Sequence, residues 1–187
     1  MKLKIIQAGD PILRQRAKEL TVEEILSAPI QQLIGFMKET MHDAPGVGLA
    51  APQIGESLQL IVIEDREEEF KKFLSPEQIK TRERKSVPFQ VLINPKIMIN
   101  QSVSDEFYEG CLSVAGFVGL VPRALNVTVE CLNEQANPIT IQASGWYARI
   151  LQHEIDHLHG VLCIDRMKME SLSTMDNFMR YWKTTAR

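Results

Sequence analysis

The chain lacks a basic excess, a membrane-length apolar run, an internal repeat and any low-complexity tract. Its 187 residues carry a formal net charge of −3, so there is no positive footprint for DNA. No apolar stretch approaches the ~18 residues of a membrane span, and the N-terminus lacks the charged-then-apolar plan of a secretory signal. Cysteine is scarce, with three in all. An odd, small number without such a signal argues against a disulfide framework and for a reducing compartment. That compartment is the cytoplasm, or an organelle matrix if a leader has been removed. What is present is 44% apolar and 24% charged sequence, enough at this length for one domain with a real core.

The stretch Leu151–Gly160 holds the clearest chemistry. His153 and His157 stand four residues apart with Glu154 beside the first, and on a helix positions i and i+4 share one face. Two neutral imidazoles on one face can reach a single metal ion, while Glu154, not itself a ligand, can take a proton from water. Ser144 is placed to cap such a helix and Gly160 to stop it.

Along the chain, Gly9-Asp10-Pro11 marks a turn, and Thr21 with Glu24 has the spacing of a capping box. Pro29 can open a helix, and Ile30, Leu33, Ile34, Met37 and Met41 form an apolar stripe along it that ends at His42. The run Pro45–Gly55 breaks regular structure with three glycines and two prolines, yet its other residues are apolar apart from Gln53. Glycines there let a backbone approach a ligand closely, although a buried hairpin explains them as well. Gln59–Glu64 reads as a buried strand with Leu60–Ile63 in its middle, and residues 65–85 as a solvated polar insertion with room for a helical turn, not a binding tail. Asn94-Pro95 splits two strand candidates, Phe89–Asn94 and Lys96–Asn100. The stretch after Ser113 through Pro122 is punctuated by Gly and Pro. Leu125, Val127, Val129 and Cys131 alternate with polar residues, so they form a half-buried strand with Cys131 in the core; Pro138–Ala143 is a last strand. Met175, Phe178, Met179 and Trp182 predict a C-terminal helix over 171–187 that packs an apolar stripe on the sheet.

Two histidines need a third protein ligand. Cys163 follows His157 by six residues with Gly160 between, the spacing of the metzincin proteases, which carry a His there. A later carboxylate, as in thermolysin-like proteases, has only Asp165, Glu170 and Asp176 to draw on. Cys111, in a glycine-bearing turn, is the third candidate.

Three segments resemble the signature motifs of the peptide deformylase family, and in that family's order: Gly46-Val47-Gly48-Leu49-Ala50-Ala51-Pro52-Gln53, Glu109-Gly110-Cys111-Leu112-Ser113 and Gln152-His153-Glu154-Ile155-Asp156-His157. Gly9–Leu13 and Asn94-Pro95 are similar to it as well, so the resemblance spans about residues 3 to 170. Val114–Phe117 and Ala143–Trp146 look closer to the organellar-type branch than to the commonest bacterial one.

The resemblance implies an α+β fold, antiparallel β-sheets around a central metal-binding helix with an N-terminal and a C-terminal helix, in a single catalytic domain over 1–187. It implies a hydrolase that removes the formyl group from N-terminal formyl-methionine of newly made polypeptides. Cys111, His153 and His157 would hold one divalent ion, commonly iron(II), with zinc, nickel or cobalt able to replace it. Glu154 would be the general base, with Gln53 and the Leu112 backbone N–H as oxyanion donors. Gly46, Val47, Gly48, Leu49 and Gly110 would line the substrate. The acceptor that orients a ligand histidine is expected at Asp156, unless that residue faces solvent. A transient ribosome contact and the oligomeric state stay open.

Overall fold

The computed structural model describes residues 2–44, 46–100 and 104–184. Pro45 of the glycine-rich run and residues 185–187 of the expected C-terminal helix lie outside them.

Asp10 caps a short 3-10 turn, Pro11–Arg14. The Thr21–Glu24 capping box opens α1 (Val22–Leu26), with both reciprocal hydrogen bonds made. α2 (Ala28–Asp43) then starts with Pro29 in its first turn and buries Ile34, Met37 and Met41. β1 (Gly48–Ala50) is followed by a 3-10 turn, Ala51–Ile54, and by β2 (Leu60–Asp65).

The polar insertion is solvated along most of its length and folds back onto the body of the protein. It forms α3 (Glu67–Phe70) and α4 (Pro76–Thr81), and Asp65, Phe70 and Arg82 are buried. Arg84 makes two hydrogen bonds to Asp65, at 2.8 and 2.9 Å. It also stacks on Phe70 and Trp146. Most of the insertion is solvated, as its charge run suggests, but one forked ion pair and a stacked guanidinium tie it down and Phe70 is buried beneath it.

β3 (Val87–Ile99) is one strand, not two. Its register against β6 shifts between Ile93 and Lys96, and Asn94 takes φ +50°. A bulge therefore absorbs the Asn-Pro signal without ending the strand. Next come β4 (Ser104–Gly110), β5 (Phe117–Ala124), β6 (Asn126–Leu132) and β7 (Pro138–Ser144). In β6, Val127, Val129 and Cys131 are the buried positions. β5 occupies the stretch that Gly and Pro appeared to break. Pro122 is tolerated because β8 (Ser173–Thr174) pairs only with Phe117 and Val118, which leaves Pro122 on an open edge.

The strands form two antiparallel sheets, ordered β1-β2-β3-β6-β7 and β4-β5-β8. Between them runs α5 (Gly145–Leu158), the helix of the two histidines. Ten of its residues are buried, Ala148 to Gln152 and Glu154 to Leu158, as expected of a helix enclosed on nearly every side. Ser144 is its N-cap by position but makes no side-chain cap bond; the Trp146 N–H donates to Arg82 O at 2.9 Å. Gly160 follows the helix at φ +74°, where a Cβ would come within 2.6 Å of Arg14 O. The stop is therefore a glycine for both conformation and space.

After α6 (Cys163–Arg166) and β8, α7 (Met175–Asn177) runs into a wider π-type turn, Phe178–Trp182. The tail stripe was expected to pack on the sheet. Instead Met175, Met179 and Trp182 are exposed, while Phe178 stacks on Tyr108 of β4, ring centroids 4.7 Å apart. Among the described residues no helix is long and apolar enough to cross a membrane.

Candidate metal centre and active site

Cys111 follows the end of β4, and the two histidines project from α5 one turn apart. Cys111 Sγ lies 3.3 Å from His157 Nε2. One ligand atom from each of Cys111, His153 and His157 falls within 4.8 Å of the other two. Bonds of ~2.3 Å to sulfur and ~2.1 Å to nitrogen at a tetrahedral angle would hold those atoms ~3.6 Å apart.

The chemistry of this donor set fits a divalent ion. Burial first, then the neighbouring His153, holds the His157 imidazole far on the neutral, ligating side. Its buried Nδ1 has no hydrogen-bond partner among the described residues. The Cys111 thiol is pushed well up by its hydrogen bond with Cys163 and by burial. A cation beside it is the charge that would let it ionise. Cys163, the metzincin-like candidate, is buried with Val121 and Met167 behind Cys111 and stands outside the three-ligand group.

The partner of His153 is Glu109, not Asp156. The His153 Nδ1–H donates to Glu109 Oε2 at 3.0 Å, the carboxylate being able only to accept. This leaves Nε2 of His153 for a metal. Glu109 also accepts from Arg123 Nε and Nη2, at 3.0 and 3.1 Å, and from Arg149 Nη1 at 2.7 Å. Burial alone would raise its pKa. The His153 hydrogen bond and the Arg123 charge prevail and hold the carboxyl well below the usual range. Burial also disfavours a charged His153, yet the Glu109 hydrogen bond raises it to about 9. Asp156 neither faces solvent nor meets a histidine. It is buried, paired with Arg123 and held by two bonds from Arg166 at 2.6 and 2.7 Å.

Glu154 is 4% exposed. Burial pushes its carboxyl up to about 7, and its Oε2 has no hydrogen-bond partner among the described residues. Gly48 of β1 lies against it, so closely that a Cβ there would sit 2.3 Å from Glu154 Oε1. Gln53 is anchored through Oε1, which accepts from the Ala50 N–H at 2.8 Å. Its Nε2 therefore points to Ser113 Oγ at 3.3 Å and Cys111 Sγ at 3.7 Å. Leu112 is fixed by the Gln7 Nε2 donated to its carbonyl at 2.9 Å.

Gly46, Val47, Gly48, Gln53, Gly110 and Leu112 line one cleft of about 480 Å³ together with Cys111, His153 and Glu154. Leu49 does not join them. Its side chain is fully buried against α2 and β2 in the core, because successive residues of a strand point to opposite faces. Arg84, Tyr108, Trp146, Arg149 and Met175 also line the cleft. Their sequence signal was absent, since each arrives from an element whose path is set by tertiary packing.

Residues 2–172 match the family model for polypeptide deformylase. The chain belongs to the polypeptide deformylase family. It is 44% identical to the chloroplastic peptide deformylase 1A of Solanum lycopersicum over 92% of its own length, spanning 62% of that protein. It is 41% identical to peptide deformylase 1 of Bifidobacterium longum, covering 96% of the chain and 79% of the relative. A Met-Ala-Ser-bound class I type b peptide deformylase from Acinetobacter baumannii superposes with a TM-score of 0.79 at 33% identity, over 89% of this chain and 99% of that one.

Within a deformylase-family site, exchange of the two candidate thiols separates ligand from neighbour. Cys111→Ser is expected to weaken cobalt or zinc binding at least about a hundredfold, and Cys163→Ser by no more than about threefold. Equilibrium dialysis against a chelator of known affinity measures both, and the reverse order would make Cys163 the ligand.

Proposed function

We propose that this chain is a peptide deformylase, a metal-dependent hydrolase that removes the formyl group from N-terminal formyl-methionine of newly made polypeptides. The observation that carries it is the convergence of Cys111, His153 and His157, the first two of which line a cleft that also holds a buried carboxylate, Glu154. Residues 1–187 act as one catalytic domain. The physiological ion is iron(II), which zinc, nickel or cobalt can replace, since a two-nitrogen, one-sulfur set suits several divalent metals. The setting is bacterial cytoplasm or an organelle matrix, where formylated nascent chains occur.

Cys111, His153 and His157 would hold the metal, whose Lewis acidity would serve to acidify a water and polarise the formyl carbonyl. Glu154 receives the proton of the attacking water and later delivers it to the departing amine. Burial raises its carboxyl above the usual carboxylate range, the direction that suits a group which must both take and return a proton near neutral pH. Gln53 Nε2–H and the Leu112 backbone N–H donate to the oxygen that becomes negative, one such donor being worth ~3–4 kcal/mol in the transition state. Gln53 is preset for this, because Oε1 is already engaged by Ala50. β1 ends its sheet, so the Gly46–Gly48 backbone can pair with an extended peptide as an added strand.

Gly48→Ala should cost roughly a hundredfold in kcat/KM, because the new methyl displaces the Glu154 carboxylate by about an ångström. Metal content should stay unchanged, and a rate within twofold of wild type would show that Glu154 is not held by β1. The decisive experiment compares formyl-Met-Ala-Ser with acetyl-Met-Ala-Ser, using protein purified without oxygen. Turnover is expected on the formyl peptide alone and should vanish on adding a chelator. A fully metallated protein that leaves the formyl peptide intact would remove this function.

A further inference from the structure

The sheet β4-β5-β8 carries one wall of the cleft outward from the metal ligands. Gly110, next to Cys111, pairs with Val118, and Val118 pairs on its other side with Ser173. Phe117 pairs with Thr174, and the Met175 N–H donates to Gly116 O at 2.9 Å. Phe117 thus stands one strand spacing, ~5 Å, from the strand of Gly110, and β8 with the adjoining Met175 stands two, which puts the outer margin ~10 Å from Cys111. Phe117 and Met175 belong to the cleft lining, yet they are 45% and 42% exposed. Met179, four residues further along the same tail, is also exposed.

The strip is held in place from two sides. Phe178 stacks on Tyr108, and Gln78 Nε2 of α4 donates to Lys183 O at 2.9 Å. The polar insertion and the tail thus brace each other across the cleft margin. An apolar surface held so firmly against water, and continuous with the cleft, fits an apolar ligand that leaves through that cleft. Two of its three members are methionines, whose unbranched thioethers adapt to side chains of differing shape. A ligand of varied sequence would need that property.

We infer that Phe117, Met175 and Met179 extend the substrate cleft and bind apolar side chains of the formylated polypeptide from about its fourth residue onward. This rests on the deformylase reading. An extended peptide advances ~3.3 Å per residue, so three residues fill the distance from the metal ligands to this margin and the fourth reaches it. The consequence is a preference for chains whose N-terminal segment is apolar throughout, over chains that turn polar after the third residue.

The test uses the metallated protein with three substrates: formyl-Met-Ala-Ser, formyl-Met-Ala-Ser-Leu-Phe-Leu and formyl-Met-Ala-Ser-Ser-Gly-Ser. The apolar hexapeptide should exceed the polar one in kcat/KM by about tenfold, mostly through KM, the order expected for burying one apolar side chain's worth of surface. In Met175→Ser/Met179→Ser that ratio should fall close to one, whereas Met175→Leu should keep it. Because the ratio is taken within each variant, any loss common to both peptides cancels. Equal rates for the two hexapeptides, with brisk turnover of the tripeptide, would overturn the inference while leaving the deformylase reading intact. So would a ratio that survives the double substitution, or a strip covered by a second copy of the chain in gel filtration with no substrate preference. No turnover of the tripeptide would instead bring down the deformylase reading beneath it.

Discussion

Glu154→Gln is expected to lower kcat/KM on formyl-Met-Ala-Ser by about a thousandfold or more, with metal content unchanged. Gln fills the same space, so Gly48 and α5 keep their places and the three ligand residues are untouched. What is lost is the ability to accept a proton and pass it on, a function commonly worth 10²–10⁴-fold. The carboxylate is enclosed and far from its ordinary pKa near 4.5, so no neighbouring group stands in for it. A second readout follows from the same burial. In metal-free protein a carboxyl raised from about 4.5 to about 7 binds its proton more tightly folded than unfolded. Its contribution is therefore fully present below pH 4.5 and is lost as pH rises through 7. Urea titrations of the apo protein should show wild type losing stability across that window relative to Glu154→Gln. A variant that keeps more than a tenth of wild-type activity would exclude Glu154 as the base.

Some of this architecture can be read from local spacing because the forces are local. The capping box at Thr21 and Glu24, the alternation through Cys131 and the glycine stop at Gly160 are each decided within a few residues, and the structure has all three. His153 and His157 belong to the same class, since four residues on a helix place two side chains on one face. Elsewhere local signals mislead because pairing partners decide the outcome. β5 survives Gly119 and Pro122 because β4 pairs with it along its full length, with Pro122 opposite Glu106. β3 runs through Asn94-Pro95 because β2 and β6 hold it on either side of the bulge.

The site divides along the same line. Cys111, Gln53 and Leu112 can be named from motif resemblance, but not from geometry, because strand ends and turns bring them to α5 only in the folded chain. Leu49 shares a motif with Gly48 and still points into the core, since a motif does not say which face of a strand a residue takes. The tail stripe has helical spacing, yet only part of it meets the sheet: Phe178 stacks on Tyr108 while Met175 and Met179 stay exposed.

Glu109→Gln is the second large effect, and it separates the acceptor seen in the structure from Asp156, the one weighed from the sequence. Glu109 is the single acceptor shared by His153, Arg123 and Arg149, all within 3.1 Å. An amide offers one oxygen in place of two, and its NH2 group opposes the guanidinium donors. Two buried arginines are then left short of a negative charge, a loss that typically costs ~3–5 kcal/mol when one partner of a buried pair is removed. His153 loses the bond that fixes its ring, and metal affinity should fall about 10- to 100-fold. Asp156→Asn breaks a different knot, between Arg123 and Arg166, and leaves the His153–Glu109 bond in place. It should destabilise the fold while metal affinity stays within about threefold of wild type. Dialysis against a metal buffer, read beside urea melts of both variants, distinguishes the two. Equal metal loss in both variants would mean that the whole Arg123 network, rather than Glu109 alone, orients the ligand histidine.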